Sequence, residues 1–178
     1  METGAADAAL VRAARGGSDA AFGVLVNRHQ QALRGFLRRV CRDPALADDL
    51  AQEVFVAAWT RLGQLRDTDA FRSWLFAMAW HQAAQTARAA GRRKAREAEW
   101  DRTEDQTRPE GISREDSMAL NDAMDSLTPD QRACVALCLA GGWSHNDAAE
   151  ALSMPVGTVK SHIARGRARL AEALGDER

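Results

Sequence analysis

Residues 144–170 read SHNDAAEALSMPVGTVKSHIARGRARL, the pattern of two capped helices separated by a short turn. Ser144 and Asp147 have the spacing of a capping box, which predicts a short helix through Leu152. A tight turn follows. Pro155 suits the first turn of the next helix, because its missing N–H would have no helical partner there. The stretch therefore predicts a helix-turn-helix.

The second of these helices has one apolar face and one cationic face. Apolar positions recur every three or four residues, at Val156, Val159, Ile163, Gly166, Leu170 and Leu174. The other side carries hydroxyl, imidazole and cationic groups that can donate to phosphates and base edges. These candidate DNA-binding residues are Thr158, Lys160, Ser161, His162, Arg165, Arg167 and Arg169.

Three other interpretations account for part of this pattern. A basic amphipathic helix can be a solvated face or a membrane-surface element. A phosphate-binding loop is disfavoured, because the glycine does not lie in a G-x-x-x-x-G-K-[ST] run and no strand precedes it. The capped helices before the basic helix favour DNA recognition over a solvated face or a membrane-surface element.

A further helix with clear start and stop signals is predicted before the two helices of the helix-turn-helix. Thr128 suits its N-cap, Pro129 its first position, and Gln131 the third position of a capping box. The helix is expected to end at Gly141–Gly142, a glycine stop.

The cysteines are few and odd in number. Cys41, Cys134 and Cys138 indicate reduced thiols in a cytoplasmic protein and not a disulfide framework. Cys134 and Cys138 would share a helix face. One interpretation of this spacing is a metal site completed by His145. Two small buried apolar side chains are the favoured interpretation. We therefore predict no metal site and no cofactor.

The charge balance excludes a uniformly basic coat protein. The 178 residues carry 24 basic and 25 acidic side chains, a net charge of −1, so nucleic-acid binding would need local patches. There is no apolar run near the length of a membrane span, and the start lacks the layout of a secretory signal.

The first half of the chain is also helical in pattern, without the alternation of a strand. Ser18 is the predicted cap of a long helix, and His29 lies on its apolar stripe as a satisfied core histidine. A second helix is predicted over about residues 45–62. The inward residues predicted for a third helix are Phe71, Trp74, Leu75 and Met78.

Between the two halves the apolar pattern stops. Residues 91–114 are highly charged, contain Pro109 and Gly111, and cannot bury enough apolar surface to fold alone. The sequence therefore predicts an all-α protein with two small helical domains, residues 1–90 and 115–178, joined by a flexible charged linker.

Several stretches, in order along the chain, resemble one known family. LTPDQRACVALCLAGGWSHNDAAEALSMPVGTVKSHIARGRARL (127–170), with PVGTVKS as its most specific string, resembles the C-terminal domain of extracytoplasmic-function (ECF, group 4) sigma factors of the sigma-70 family. These are small alternative sigma subunits of bacterial RNA polymerase. ADDLAQEVFVAAW (47–59) resembles the family's polymerase-binding helix, and FRSWLFAMAW (71–80) resembles the helix after it.

The resemblance implies a promoter-specificity subunit without catalysis of its own. Its C-terminal domain would recognise the −35 element and meet the β flap, and its first domain would dock on the β′ clamp helices of core polymerase. An anti-sigma factor would mask these surfaces. A small-molecule substrate and membrane insertion are not expected. The matching polymerase-binding positions are Asp48, Asp49, Gln52 and Glu53, an acidic and amide face suited to a basic partner.

The resemblance also implies that the −10 element is bound as single-stranded DNA. The family uses the loop before the third helix, here Gly63–Asp69, and the exposed side of that helix. A flipped base needs a polar pocket and a stacking surface, and its backbone needs cations. The candidates are Arg66, Arg72, Trp80, His81, Arg88, Arg92 and Arg93.

Two alternative functions remain open at the level of sequence. Relatives commonly carry Arg-Asn where this chain has Trp80-His81, and an Asp near Gln85. These departures leave open a sigma-like decoy that sequesters an anti-sigma factor. The second alternative is a stand-alone helix-turn-helix regulator that binds palindromic duplexes as a dimer.

Overall fold

The computed structural model describes the backbone of residues 2–97 and 123–175 and the side chains of residues 6–90 and 123–173. Within these ranges the chain is almost entirely helical and contains no strand. The predicted all-α fold class is therefore confirmed. None of the described helices is long and apolar enough to cross a membrane.

Four helices form the first domain. They are α1 (Glu2–Arg15), α2 (Asp19–Cys41), α3 (Pro44–Arg61) and α4 (Phe71–Glu97), with 3₁₀ turns at Leu62–Gln64 and Thr68–Ala70 between the last two. Ser18 caps α2 as predicted, since its Oγ accepts from the Ala21 N–H at 3.2 Å. Asp43 caps α3 in the same way, accepting from the Leu46 N–H at 3.0 Å.

Helix α1 is absent from the helices predicted by sequence. Val11 and Ala14 are buried against the rest of the domain, but the helix is rich in alanine and its buried face contains Asp7. A polar residue on the inner face weakens the apolar periodicity that signals a helix.

A buried polar network fixes α1 on α2. The Asp7 side chain is 2% exposed and accepts from Arg28 and from His29 Nε2, the latter at 2.7 Å. The His29 ring also packs on Phe71, with 5.5 Å between ring centroids. His29 is therefore the satisfied core histidine that the sequence predicts.

This network makes stability depend on pH. Burial lowers the pKa of His29 below 6.5, and Arg72 and Arg28 act in the same direction, while Asp7 opposes them. The unfolded state then binds the proton more readily than the folded state. The contribution of His29 to stability is therefore fully present above pH 6.5 and is lost as the pH falls below that value. Urea unfolding at about pH 7.5 and about pH 5.5 should show a smaller acid loss for His29→Gln than for wild type. Equal losses would contradict this expectation.

In the described part of the second domain, residues 123–125 are helical and three further helices follow. They are α5 (Pro129–Val135), continued by a π-helical turn (Ala136–Ala140), α6 (His145–Leu152) and α7 (Val156–Gly175). The predicted capping box opens α5: the Thr128 N–H donates to Gln131 Oε1 at 3.2 Å, and the Gln131 N–H donates to Thr128 Oγ1 at 3.4 Å. Ser144 caps α6, accepting from the Asp147 N–H at 3.1 Å.

The predicted glycine stop ends the π-helical turn. Gly142 has φ 65°, a left-handed conformation that favours glycine, and a Cβ on Gly141 would lie 2.7 Å from the Leu137 oxygen. That same carbonyl accepts from the Trp143 N–H at 3.1 Å. The turn therefore directs Trp143 inward, where it is 6% exposed.

Trp143 joins the two domains. Its ring lies 4.8 Å from that of Phe76 on α4, at an interplanar angle of 55°. The Arg72 guanidinium, one turn earlier on α4, lies 4.0 Å from the Trp143 ring centroid in a cation–π contact. The C-terminal domain thus covers part of α4.

Arg132 makes a second connection between the domains. It is 8% exposed, and its guanidinium donates to the Leu127 oxygen at 3.0 Å and to the Val40 oxygen on α2 at 3.3 Å. Arg42 forms an ion pair with Asp125 nearby. Sequence reasoning did not single out Arg132, because nothing local distinguishes a buried arginine from a surface one.

The start of the predicted linker is wrong. Helix α4 continues to Glu97, so residues 91–97 are helical. Alanine and arginine sustain a helix through their intrinsic propensity even where apolar periodicity ends. The rest of the predicted linker, residues 98–114, lies outside the described residues.

The cysteines have the environment of small apolar side chains. Cys134 is fully buried, and burial raises its pKa to about 12 and that of Cys41 to about 11. Burial also raises the pKa of Cys138. Cys134 is thus the small buried side chain that the sequence predicts, whereas Cys138 and Cys41 are half-buried against the core. Across residues 6–90 and 123–173, no three His, Cys, Asp or Glu side chains are grouped to hold a metal ion.

Candidate nucleic-acid interface

Packing of its apolar side fixes the orientation of α7 about its own axis. Val159 and Ile163 are buried, and α7 approaches α5 so closely at Gly166 that a Cβ there would lie 2.6 Å from Val135 Cγ2. Gly166 is thus a packing requirement and not a break in the helix. The opposite face of α7 is left towards solvent.

That face brings most of the predicted −35 residues together. Five are exposed and one is half-buried; the exposed ones are Thr158, Lys160, Ser161, Arg165 and Arg167, and the half-buried one is His162. His162 Nδ1 is buried and has no hydrogen-bond partner among the described residues. The surface is cationic and rich in donors, which suits phosphates and base edges.

Arg169 has a structural contact in addition to its exposed position. Its Nη1 donates to the Ser126 oxygen at 2.8 Å, which ties the end of α7 to the turn before α5. Its guanidinium is therefore partly engaged within the domain, unlike the centre of the basic face.

The turn between α6 and α7 has helix-turn-helix geometry. Ser153 takes a left-handed conformation with φ 54° and ends α6. The Pro155 carbonyl then accepts from the N–H groups of Thr158 and Val159 at 2.9 and 3.1 Å, which starts α7. Pro155 itself precedes the first helical residue, so its missing N–H costs no helical hydrogen bond.

The predicted −10 residues differ in their exposure to solvent. Arg66, His81 and Arg88 are exposed, whereas Arg72 is half-buried against Trp143. Burial lowers the pKa of the Arg72 guanidinium. The two remaining candidates, Arg92 and Arg93, lie on α4, but their side chains are outside the described residues.

Trp80 is a correction to the sequence prediction. It is 7% exposed, so its indole cannot stack on a base in this arrangement. Helix α4 contacts α1, α2, α3 and α6, and its buried face is broader than the predicted stripe. Trp74 and Met78, expected inward, are only half-buried.

The predicted polymerase-binding residues lie on one face of α3. Asp49, Gln52 and Glu53 are exposed, and Glu53 accepts from Gln82 of α4. Asp48 is half-buried and pairs with Arg38 Nη2 at 3.0 Å. Its charge is therefore already balanced within the domain.

An apolar groove next to this face was missed by sequence reasoning. It encloses about 380 Å³ and is lined by Phe22, Phe55, Val56, Trp59 and Asp19. Val56 and Trp59 are 67% and 40% exposed, and the Trp59 ring packs 4.8 Å from that of Phe22. The signal in the sequence is the run of large apolar residues in VFVAAW, which exceeds what one buried stripe needs.

Two arginines of α1 reach the loop between α3 and α4. Arg15 Nε donates to the Leu62 oxygen at 3.0 Å, and the same guanidinium donates to the Leu65 oxygen. Arg12 donates to Thr68 Oγ1 at 3.4 Å. No local pattern marks these arginines, because their partners lie about fifty residues away in sequence.

Family models match both domains. The model described as Sigma-70 region 2 matches residues 25–93, and the model described as Sigma-70, region 4 matches residues 117–170. The chain is 32% identical over 186 residues to RNA polymerase sigma-H factor of Pseudomonas aeruginosa, covering 98% of this chain and 96% of that protein. It is 34% identical over 174 residues to ECF RNA polymerase sigma-E factor of Haemophilus influenzae, covering 90% and 91%.

Solved structures match across both domains as well. CnrH in complex with the cytosolic domain of CnrY matches with a TM-score of 0.77 at 28% identity, covering 97% of this chain and 99% of that chain. The sigma factor RpoE in complex with the anti-sigma factor NepR from Bartonella quintana matches with a TM-score of 0.76 at 27% identity, covering 88% and 98%. With both regions matched in order and over most of its length, the chain belongs to the sigma-70 family as a sigma factor of the ECF type.

Proposed function

We propose that this chain is a group 4 ECF sigma factor of the cytoplasm that directs core RNA polymerase to promoters with −10 and −35 elements and has no catalytic activity. The observation that carries the proposal is the presence in one chain of two exposed surfaces of opposite charge. The exposed face of α7 is cationic and suits DNA, and the exposed face of α3 is acidic and suits a basic protein partner.

The α3 face is the proposed contact with the β′ clamp helices. Asp49, Gln52 and Glu53 supply acceptors that are open to a partner, while the charge of Asp48 is satisfied by Arg38. The adjoining groove at Val56 and Trp59 adds apolar area that would be buried on docking. The C-terminal domain would meet the β flap.

The α7 face is the proposed −35 contact, inserted in the major groove as in other helix-turn-helix proteins. Arg165 is the residue of choice for testing it, because it is exposed near the middle of the helix. Arginine can donate two hydrogen bonds to a guanine edge or bind phosphate.

The experiment that tests this assignment is selection of a promoter library randomised at the −35 element. With Arg165→Ala in the holoenzyme, −35-dependent transcription should fall about tenfold, the size of one lost base or phosphate contact. Arg61→Ala, which removes an exposed arginine from α3, serves as the matched control. An unchanged −35 preference with Arg165→Ala would refute the assignment.

The −10 element is proposed to bind the loop that contains Arg66 together with the exposed side of α4, at His81, Arg88, Arg92 and Arg93. Arg72 joins this surface once Trp143 no longer covers it. Promoter binding therefore requires the two domains to separate. Tethering two weak DNA modules to polymerase then raises the effective concentration of each.

In the closed arrangement of the two domains, Trp143 covers Arg72. An anti-sigma factor is the proposed partner of this arrangement. This chain is similar over 88% of its length to the sigma factor RpoE solved in complex with the anti-sigma factor NepR, which supports this proposal. Such a partner would hold the domains together and keep Arg72 from DNA.

A further inference from the structure

The loop between α3 and α4 is held at two backbone carbonyls by one guanidinium. Arg15 Nε donates to the Leu62 oxygen at 3.0 Å, and another nitrogen of the same group donates to the Leu65 oxygen. A guanidinium is a rigid planar fork, so binding both carbonyls fixes their separation and relative orientation.

Helix α1 is itself firmly anchored, so Arg15 is a fixed support for the loop. Asp7 pairs with Arg28 and His29 of α2, and Val11 is fully buried. His29 packs on Phe71, the first residue of α4 and the end of the loop. Arg12 adds a contact to Thr68 within the second half of the loop.

The loop has few hydrogen bonds of its own. The Leu65 N–H donates to the Leu62 oxygen at 3.3 Å, the Asp69 N–H donates to Asp67 Oδ1 at 3.0 Å, and the Ala70 N–H donates to the Asp67 oxygen at 3.2 Å. The Leu62 and Leu65 side chains are buried. The residues between and after them are exposed, namely Gly63, Gln64, Arg66 and Asp67. Arg15 therefore holds the two buried anchor points that determine how the exposed residues are presented.

We propose that Arg15 is a positioning residue that sets the conformation of the loop over residues 62–70 and, through it, the −10 preference of the holoenzyme. Arg15 acts through the loop backbone and not by its own contact with a base. This inference rests on the proposed role of the loop in −10 recognition.

Arg15→Gln tests the inference with two independent measurements. Hydrogen exchange of the full-length protein should speed up about tenfold in the loop amides while the core of α2 is unchanged. In selections with holoenzyme on a promoter library, preference within the −10 element should flatten or shift while −35 preference stays as in wild type. A residue of purely structural importance would lower total activity without changing the −10 profile.

Matched variants separate geometry from charge and folding. Arg39→Gln removes another exposed arginine, one that donates to the Gly35 oxygen of its own helix, and should leave both measurements unchanged. Arg15→Lys keeps the charge but loses the fork, so it should give values between wild type and Arg15→Gln. Equal thermal unfolding of the three variants ensures that folding is not the cause.

Four outcomes are decisive. Faster loop exchange together with an altered −10 profile supports the inference. Unchanged loop exchange in Arg15→Gln overturns the role of Arg15. An unchanged −10 profile in Arg15→Gln, when Arg66→Ala does alter that profile, also overturns the role of Arg15 but leaves the proposed role of the loop intact. If Arg66→Ala also leaves the −10 profile unchanged, the proposed role of the loop fails and the inference falls with it.

Discussion

Replacing Asp7 with alanine is expected to lower the free energy of unfolding by about 2–3 kcal/mol. The change leaves the Nε2–H of His29, which is 4% exposed, without an acceptor in an apolar surrounding. It also removes the ion-pair partner of Arg28, whose side chain is 36% exposed and recovers part of its hydration. Urea unfolding at about pH 7.5 measures the loss.

Asp19→Ala is the matched control for this experiment. Asp19 is an exposed carboxylate in the first turn of α2, where it gains only the weak field of the helix, so its loss should stay below about 0.5 kcal/mol. Asp7→Asn keeps one acceptor and should fall between the two. Equal losses for Asp7→Ala and Asp19→Ala would show that the buried network does not hold α1.

Replacing Gly166 with valine is expected to destabilise the C-terminal domain by about 2–3 kcal/mol. Its Cβ would lie 2.6 Å from Val135 Cγ2, and a β-branched side chain has no rotamer that relieves a contact made by the Cβ itself. Helix α7 must then move away from α5 or rotate. Because the basic face is on the same helix, −35-dependent transcription should fall along with stability.

Gly157→Val supplies the comparison on the same helix. A Cβ at Gly157 would meet no atom within 4 Å, so the substitution should leave stability within about 0.5 kcal/mol of wild type. Chemical denaturation followed by circular dichroism measures the stability of the two variants. If both variants unfold alike, the close approach of α7 to α5 is not what positions the recognition helix.

The helix-turn-helix was predictable because its signals are local. Thr128 and Ser144 accept hydrogen bonds from backbone groups three residues away, and a pair of glycines ends the π-helical turn after α5, so the pattern and the structure coincide. The exposed basic face follows from the same helical spacing. These features do not depend on what the rest of the chain does.

The features missed by sequence depend on distant contacts. Helix α1 buries an aspartate that acquires its meaning only beside His29, so its sequence does not look amphipathic. Trp80 faces the core because α4 is covered on several sides, including by α6 of the other domain. The position of Trp143 over Arg72 could not be expected from either domain alone.

The burial of Trp80 also bears on the decoy hypothesis. The Trp80-His81 pair leaves a decoy open as an alternative because it replaces residues expected to contact the −10 element. With Trp80 in the core, that departure has a packing role. His81 remains exposed on α4 and available to DNA.

The central claim is that this chain gives core RNA polymerase its promoter specificity. Its direct test is in vitro transcription of the fragmented source genome by core polymerase with and without this protein, followed by sequencing of RNA 5′ ends. We expect a set of 5′ ends that requires the protein and shares two upstream elements at a constant spacing. The absence of any protein-dependent 5′ ends, with the protein bound instead to palindromic duplexes or to an anti-sigma factor alone, would contradict it.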